Sequence, residues 1–130
     1  MLASKVTTTS LGERGESRAL AYLQSRGWTL LARNYRVARG PSRRGAEIDL
    51  IMQEPDGTVV FVEVRQRHGR AHGGAAASVS YSKQRACILG AQHYLQRWPT
   101  AWPPCRFDVV AIDGDHLQWI PAAFDASAAG

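Results

Sequence analysis

Apolar and polar side chains recur along this chain with two distinct periods. Over residues 10–25 the spacing is helical: Ala19, Leu20 and Leu23 fall on one stripe, with Arg14 and Arg18 on the opposite side. Ser10 followed by Glu13 has the spacing of a capping box, and Gly27 supplies a stop. Residues 28–37 read as an extended segment with Trp28, Leu30, Leu31 and Tyr35 available for packing. Residues 46–53 and 58–66 alternate with a period of two, and Glu54-Pro55-Asp56-Gly57 between them is a turn, so they predict a hairpin. A second helix is predicted over 79–98, ended by Pro99, then a strand over 106–112 and a short one over 116–120. Residues 38–45 and 68–77 read as loops, 1–9 as a disordered leader and 121–130 as a flexible tail. The order predicts one α/β domain over 10–120, with a mixed central sheet of four to five strands flanked by helices, αβββαββ.

Four ionisable residues break this pattern. Glu16 falls inside the stripe of the first helix and Lys83 inside that of the second, beside Val79, Ala86, Cys87, Gly90 and Tyr94. Alternation puts Glu47, Asp49 and Ile51 on one face of their strand and Ile48, Leu50 and Met52 on the other. In the next strand Val59, Phe61, Glu63 and Arg65 share a face, so Asp49 and Glu63 can come side by side. A buried carboxylate is costly unless paired or bound to a cation, and two neighbouring carboxylates repel unless a proton or cation lies between them. Three acids aimed at one place point to a divalent metal. Each also has a plain structural reading. Glu16 can sit at the stripe's edge near a helix start, Glu63 can pair with Arg65 or Arg67, and Lys83 can extend to the surface.

Charge adds a candidate substrate. Sixteen basic residues face eleven acidic ones, a net charge of +5, and all the basic residues except Lys5 and Lys83 are arginines. Arg33, Arg36, Arg39, Arg43 and Arg44 form one acid-free run with Tyr35 interleaved; Arg65, Arg67 and Arg70, with His68 and His72, form a second. Two such runs flanking an acidic hairpin suit phosphate contacts around a metal centre. A solvated charged face, or a base-composition bias, gives the same counts. His68 and His72 lack cysteine partners at zinc spacing. Two cysteines are too few for a disulfide scaffold, no stretch is long enough for a membrane span, and residues 1–10 lack the apolar block of a signal peptide. A cytoplasmic protein is expected.

The segments Gly12-Glu13-Arg14-Gly15-Glu16, Ala32-Arg33-Asn34-Tyr35-Arg36, Ala46-Glu47-Ile48-Asp49-Leu50-Ile51, Phe61-Val62-Glu63-Val64-Arg65 and Arg106-Phe107-Asp108-Val109-Val110-Ala111-Ile112 resemble the bacterial YraN-like family over about residues 10–120. That family is related to archaeal Holliday-junction resolvases within the PD-(D/E)xK restriction-endonuclease-like superfamily. The resemblance implies that Asp49, Glu63 and the Val64 carbonyl hold Mg²⁺ or Mn²⁺. It further implies that Glu16 supports the metal or its water, that Lys83 contacts phosphate, and that DNA, branched DNA above all, is hydrolysed by a homodimer. Arg65 stands where the motif usually has lysine, and Ala46 where the family reads glycine. Arginine keeps its charge and cannot serve as a base. Three readings are carried forward: a metal-dependent endonuclease acting through Glu16, Asp49, Glu63, Arg65 and Lys83; a nucleic-acid-binding protein with a degenerate site; and an interaction module whose acids pair with arginines.

Overall fold

The computed structural model describes residues 8–38, 45–66 and 79–126. Helix α1 (Thr8–Ser25) is followed by strands β1 (Thr29–Val37), β2 (Ala46–Gln53) and β3 (Val59–Gln66). Helix α2 (Tyr81–Leu95) then leads to β4 (Cys105–Asp113) and β5 (His116–Phe124). The five strands form one mixed sheet in sequence order, antiparallel except where β3 lies parallel to β4. A parallel pair needs a long crossover, and α2 lies within it. The α/β class and the αβββαββ order are those expected from the pattern.

Local chemistry sets the element ends. Gly27, at φ 88°, turns the chain so that the Trp28 amide donates back to the Leu23 carbonyl (3.2 Å). Gly57, at φ 96°, closes the β2–β3 turn, and the Asp56 carboxylate accepts from the Thr58 amide (2.9 Å). Ser80 caps α2, its hydroxyl accepting from the Lys83 amide at 3.1 Å.

Alternation along β3 builds two cores, one on each face of the sheet. Val59 and Phe61 pack with Cys87, Ile88, Ala91, Tyr94 and Leu95 of α2. Val60 and Val62 pack with Ala19 and Leu23 of α1, joined by Trp28, Leu50, Met52, Val110 and Ile112. The next residue of the α2-facing series in β3 is Glu63.

Several expectations need correction. Ile48 does not join Leu50 and Met52; it packs with Ile51 under α2. The pleat is interrupted at this level, where Asn34 lies between the Arg33–Leu50 and Tyr35–Ile48 pairs with φ 53°. Helix α1 begins at Thr8, and α2 ends at Leu95, with the Trp98 amide turning back to the Leu95 carbonyl (3.0 Å) before Pro99. Strand β5 continues to Phe124, whose ring stacks on Phe107 (5.0 Å), so residues 121–124 are strand rather than tail. Pro121 is tolerated because β5 is an edge strand. Trp98 packs against the α2 core, while Trp102 is exposed. Among the described residues no helix is long and apolar enough to cross a membrane.

Candidate functional site

The site lies where β2 and β3 part. Their ladder pairs Gln53 with Val59 and ends at Leu50 with Val62. One further rung in the same register would set Asp49 opposite Glu63. Instead the Val64 amide donates to the Asp49 carboxylate (Oδ2, 2.9 Å), while Val64 itself is registered with Val110 of β4. The Asp49 side chain thus takes the place of a ladder acceptor, and the strands open into a fork between the two helices. From α1, Glu16 reaches Asp49; a side chain at its neighbour Gly15 would collide with Gln66, so the helix lies close over the end of β3. From α2, the Lys83 ammonium comes to 3.7 Å from Glu63 Oε2.

Electrostatics distinguish this cluster from an ordinary ion pair. Glu63 is fully buried, and neither carboxyl oxygen has a hydrogen-bond partner. Burial first, and the Asp49 carboxylate second, push its pKa well up, while Lys83 and Arg65 pull against them. The Glu16 pKa is also raised, by burial and then by Asp49, against the Asn34 amide and Arg33 guanidinium; its Oε1 is buried without a hydrogen bond, 3.6 Å from the Arg33 Nε. Cys87 is buried behind these acids, and desolvation, then Glu63 and Asp49, raise its thiol pKa.

Asp108 supplies the internal comparison. It too is fully buried in an apolar strand. Arg106 grips it with two bonds (2.8 and 3.0 Å), the Trp119 indole donates at 2.9 Å and the Ala122 amide at 2.9 Å. A second arm of Arg106 holds Glu54 (2.5 Å). Asp108 is therefore the paired structural acid that the plain reading of Glu63 called for, whereas Glu63 has the Lys83 ammonium at 3.7 Å and the Arg65 charge nearby but no hydrogen bond.

The surrounding basic residues divide. Arg33 is anchored to α1, with its Nη2 on Ser17 Oγ (2.9 Å) and on the Glu13 carbonyl (3.3 Å), and its Nε is 3.6 Å from Glu16. Tyr35, expected among the nucleic-acid-binding residues of the arginine run, is half-buried under α2 with its hydroxyl against His93 Nδ1 (2.5 Å) and its ring edge-on to Tyr94. Its ring is used in packing. Arg36 pairs with Glu47 (3.0 Å) on the surface. Arg65 lies near enough to Glu63 to oppose its pKa rise, and its Nε is buried without a partner. Arg39, Arg43, Arg44, Arg67 and Arg70, like His68 and His72, lie outside the described residues. A cleft of about 540 Å³ opens beside Lys83, between Gly45–Glu47 and the Ser82, Arg85, Ala86 and Leu89 side of α2.

Sequence reasoning missed Asn34, the partner of Glu16. An asparagine inside a strand, a residue type depleted there and tolerant of positive φ, was the available signal. It also passed over Asp108, whose sequence setting matches that of Glu63.

The donor set implied by the resemblance, the Asp49 and Glu63 carboxylates with the Val64 carbonyl, would be all oxygen, which suits Mg²⁺ or Mn²⁺. The unpartnered Glu63 oxygens beside Asp49 fit such an ion, since a cation removes both the burial cost and the repulsion. Among the described residues no three His, Cys, Asp or Glu side chains are gathered as metal ligands.

The model of the uncharacterised protein family UPF0102 matches residues 15–112. A UPF0102 protein of Methylibium petroleiphilum is 60% identical over 122 residues, covering 94% of this chain and 99% of that protein. One from an Acidovorax species is 57% identical, covering 93% of this chain and 89% of its own length. Another, from Paracidovorax citrulli, is 56% identical over 95% of this chain and 89% of its own.

Proposed function

The chain belongs to the uncharacterised protein family UPF0102, and we propose that it is a divalent-metal-dependent endonuclease hydrolysing phosphodiester bonds of DNA, preferentially branched. This reading places it among restriction-endonuclease-like PD-(D/E)xK enzymes, beside the archaeal Holliday-junction resolvases. One observation carries it: of two fully buried carboxylates in one sheet, Asp108 is satisfied by protein donors and Glu63 is left open beside Asp49.

Asp49, Glu63 and the Val64 carbonyl would hold the ion. Once bound it would polarise a phosphoryl oxygen and acidify a water. The protein supplies the rest. Glu16, whose Oε1 makes no hydrogen bond but has the Arg33 Nε at 3.6 Å, would orient a water near Asp49. Lys83 and Arg65 supply positive charge toward a phosphate, and Arg65 does so at any working pH. Neither the Asp49 pairing with Val64 nor the core beneath it needs to change for this.

Purified protein should cleave branched DNA in Mg²⁺ or Mn²⁺, and Asp49→Asn should reduce cleavage to background while the fold is retained. A second reading, nucleic-acid binding without turnover, is favoured by Arg65, which fills the usual lysine position and cannot release a proton. Salt-sensitive DNA binding without any Asp49-dependent cleavage would select it. Absence of both, with no Mn²⁺ heat in calorimetry, would leave a structural module.

A further inference from the structure

The cleft beside Lys83 is not used by the chemistry above. Its floor is small and apolar: Gly45, Ala46, Ala86 and Leu89. Its polar lining is Ser82, Lys83, Arg85 and Glu47. The acid among them is already neutralised, since Glu47 holds Arg36 at 3.0 Å. The first turn of α2 carries no acid, so the positive charges of Lys83 and Arg85 meet no counter-charge within their own turn. Arg85 is exposed, and among the described residues its guanidinium has no carboxylate partner. A volume of about 540 Å³ lies within the roughly 300–1,000 Å³ typical of ligand sites. Lys83 belongs to both places: it lines the cleft, and its ammonium lies 3.7 Å from Glu63.

We infer that this cleft binds the nucleotide adjoining the cleaved bond, with Arg85 and Ser82 on its phosphate and Ala86 and Leu89 against its sugar. The assignment rests on the DNA reading of the acid fork and deepens it. A strand held here has its next phosphate at Lys83, the side chain common to cleft and fork. Positive charge with an apolar floor suits a phosphodiester-linked nucleotide better than a free anion, which would find nothing to meet the apolar side. Glu47 sets a limit on this charge: it is neutral toward the strand only while Arg36 stays paired with it.

The test is fluorescence anisotropy of a labelled DNA oligonucleotide in EDTA, across a series of KCl concentrations, so that no outcome depends on cleavage. Arg85→Ala should weaken binding several-fold and lower the slope of log affinity against log salt by about one contact. Arg85→Lys should restore the slope. Arg97→Ala, at the far end of α2, should leave it unchanged. Equal slopes for the unaltered protein and Arg85→Ala would overturn the assignment, as would an equal fall for Arg97→Ala, no retention of the oligonucleotide, or displacement by inorganic phosphate at the concentration expected from ionic strength alone having no counterpart in an Arg85 effect. Failure of Asp49-dependent cleavage, with the Arg85 effect intact, sinks the nuclease reading alone.

Discussion

Replacing Glu63 by glutamine tests whether the fork is a metal site or an awkward ion pair. Glutamine keeps the shape, removes the charge and can donate an N–H to the Asp49 carboxylate. In the metal-free protein the Glu63 pKa is raised above its ordinary 4.5, by burial first and Asp49 second. Between 4.5 and the folded pKa the native state therefore holds a proton that the unfolded chain has released. Stability then falls as pH rises through that window, by about 1.4 kcal/mol per pH unit for one proton. It is fully present below the unfolded pKa and lost above the folded one. Glutamine does not titrate, so Glu63→Gln should match the unaltered protein near pH 4 and exceed it increasingly as pH rises from there toward the folded pKa. Urea unfolding in EDTA, followed by tryptophan fluorescence, reads the difference, from which every other titrating group cancels to first order. With Mn²⁺ at a hundredfold excess over its dissociation constant the difference should shift by about 2.7 kcal/mol in favour of the unaltered protein, because the variant gains little. A gap that stays constant with pH, or a variant less stable at every pH without metal, would refute the reasoning.

Other outcomes follow from the same coordinates. Asp108→Asn should destabilise by about 1–3 kcal/mol in urea, because the fully buried position loses the charged acceptor of its bonds from Arg106, Trp119 and the Ala122 amide while Arg106 keeps Glu54, yet leave Mn²⁺ affinity unchanged. Tyr35→Phe should cost about 0.5–1.5 kcal/mol by removing the bond to His93 and leave DNA affinity unaltered, since the ring serves packing. Arg33→Gln removes a cation that opposes the rise in the Glu16 pKa. The acid limb of cleavage should consequently move to higher pH, and Arg33→Lys should move it less; identical pH profiles for the three proteins would argue against Glu16 acting at the fork.

The sheet was legible because its strands alternate cleanly and its turns carry glycine. Residues 46–53 were delimited to the residue. The errors have local causes. Pro121 reads as a terminator, but an edge strand has an outer side where a missing N–H costs nothing. Ile48 changes face because the pleat breaks opposite Asn34, which period-two reasoning cannot represent. The pairing of Asp49 with Glu63 was visible as two acids at matching depth in adjacent strands, and Lys83 as a cation in an apolar stripe. What pattern could not distinguish was Glu63 from Asp108. Each is an acid within a run of valines and phenylalanine, with an arginine two positions away on the same strand face. Only the third dimension brings Trp119 and the Ala122 amide to one of them and withholds donors from the other.

The amide of Val64 donates to the side-chain oxygen of Asp49 in place of a β2 carbonyl. Architecture and chemistry are thereby fused in one side chain. An alanine at that position would deprive the protein of a charge and also cut a stitch in the sheet, so inactivity in such a variant would conflate damage with mechanism. Asparagine keeps the stitch. For the same reason, the position needs an acceptor whether or not the fork turns over a substrate, and an oxygen there is preserved for the sake of the backbone.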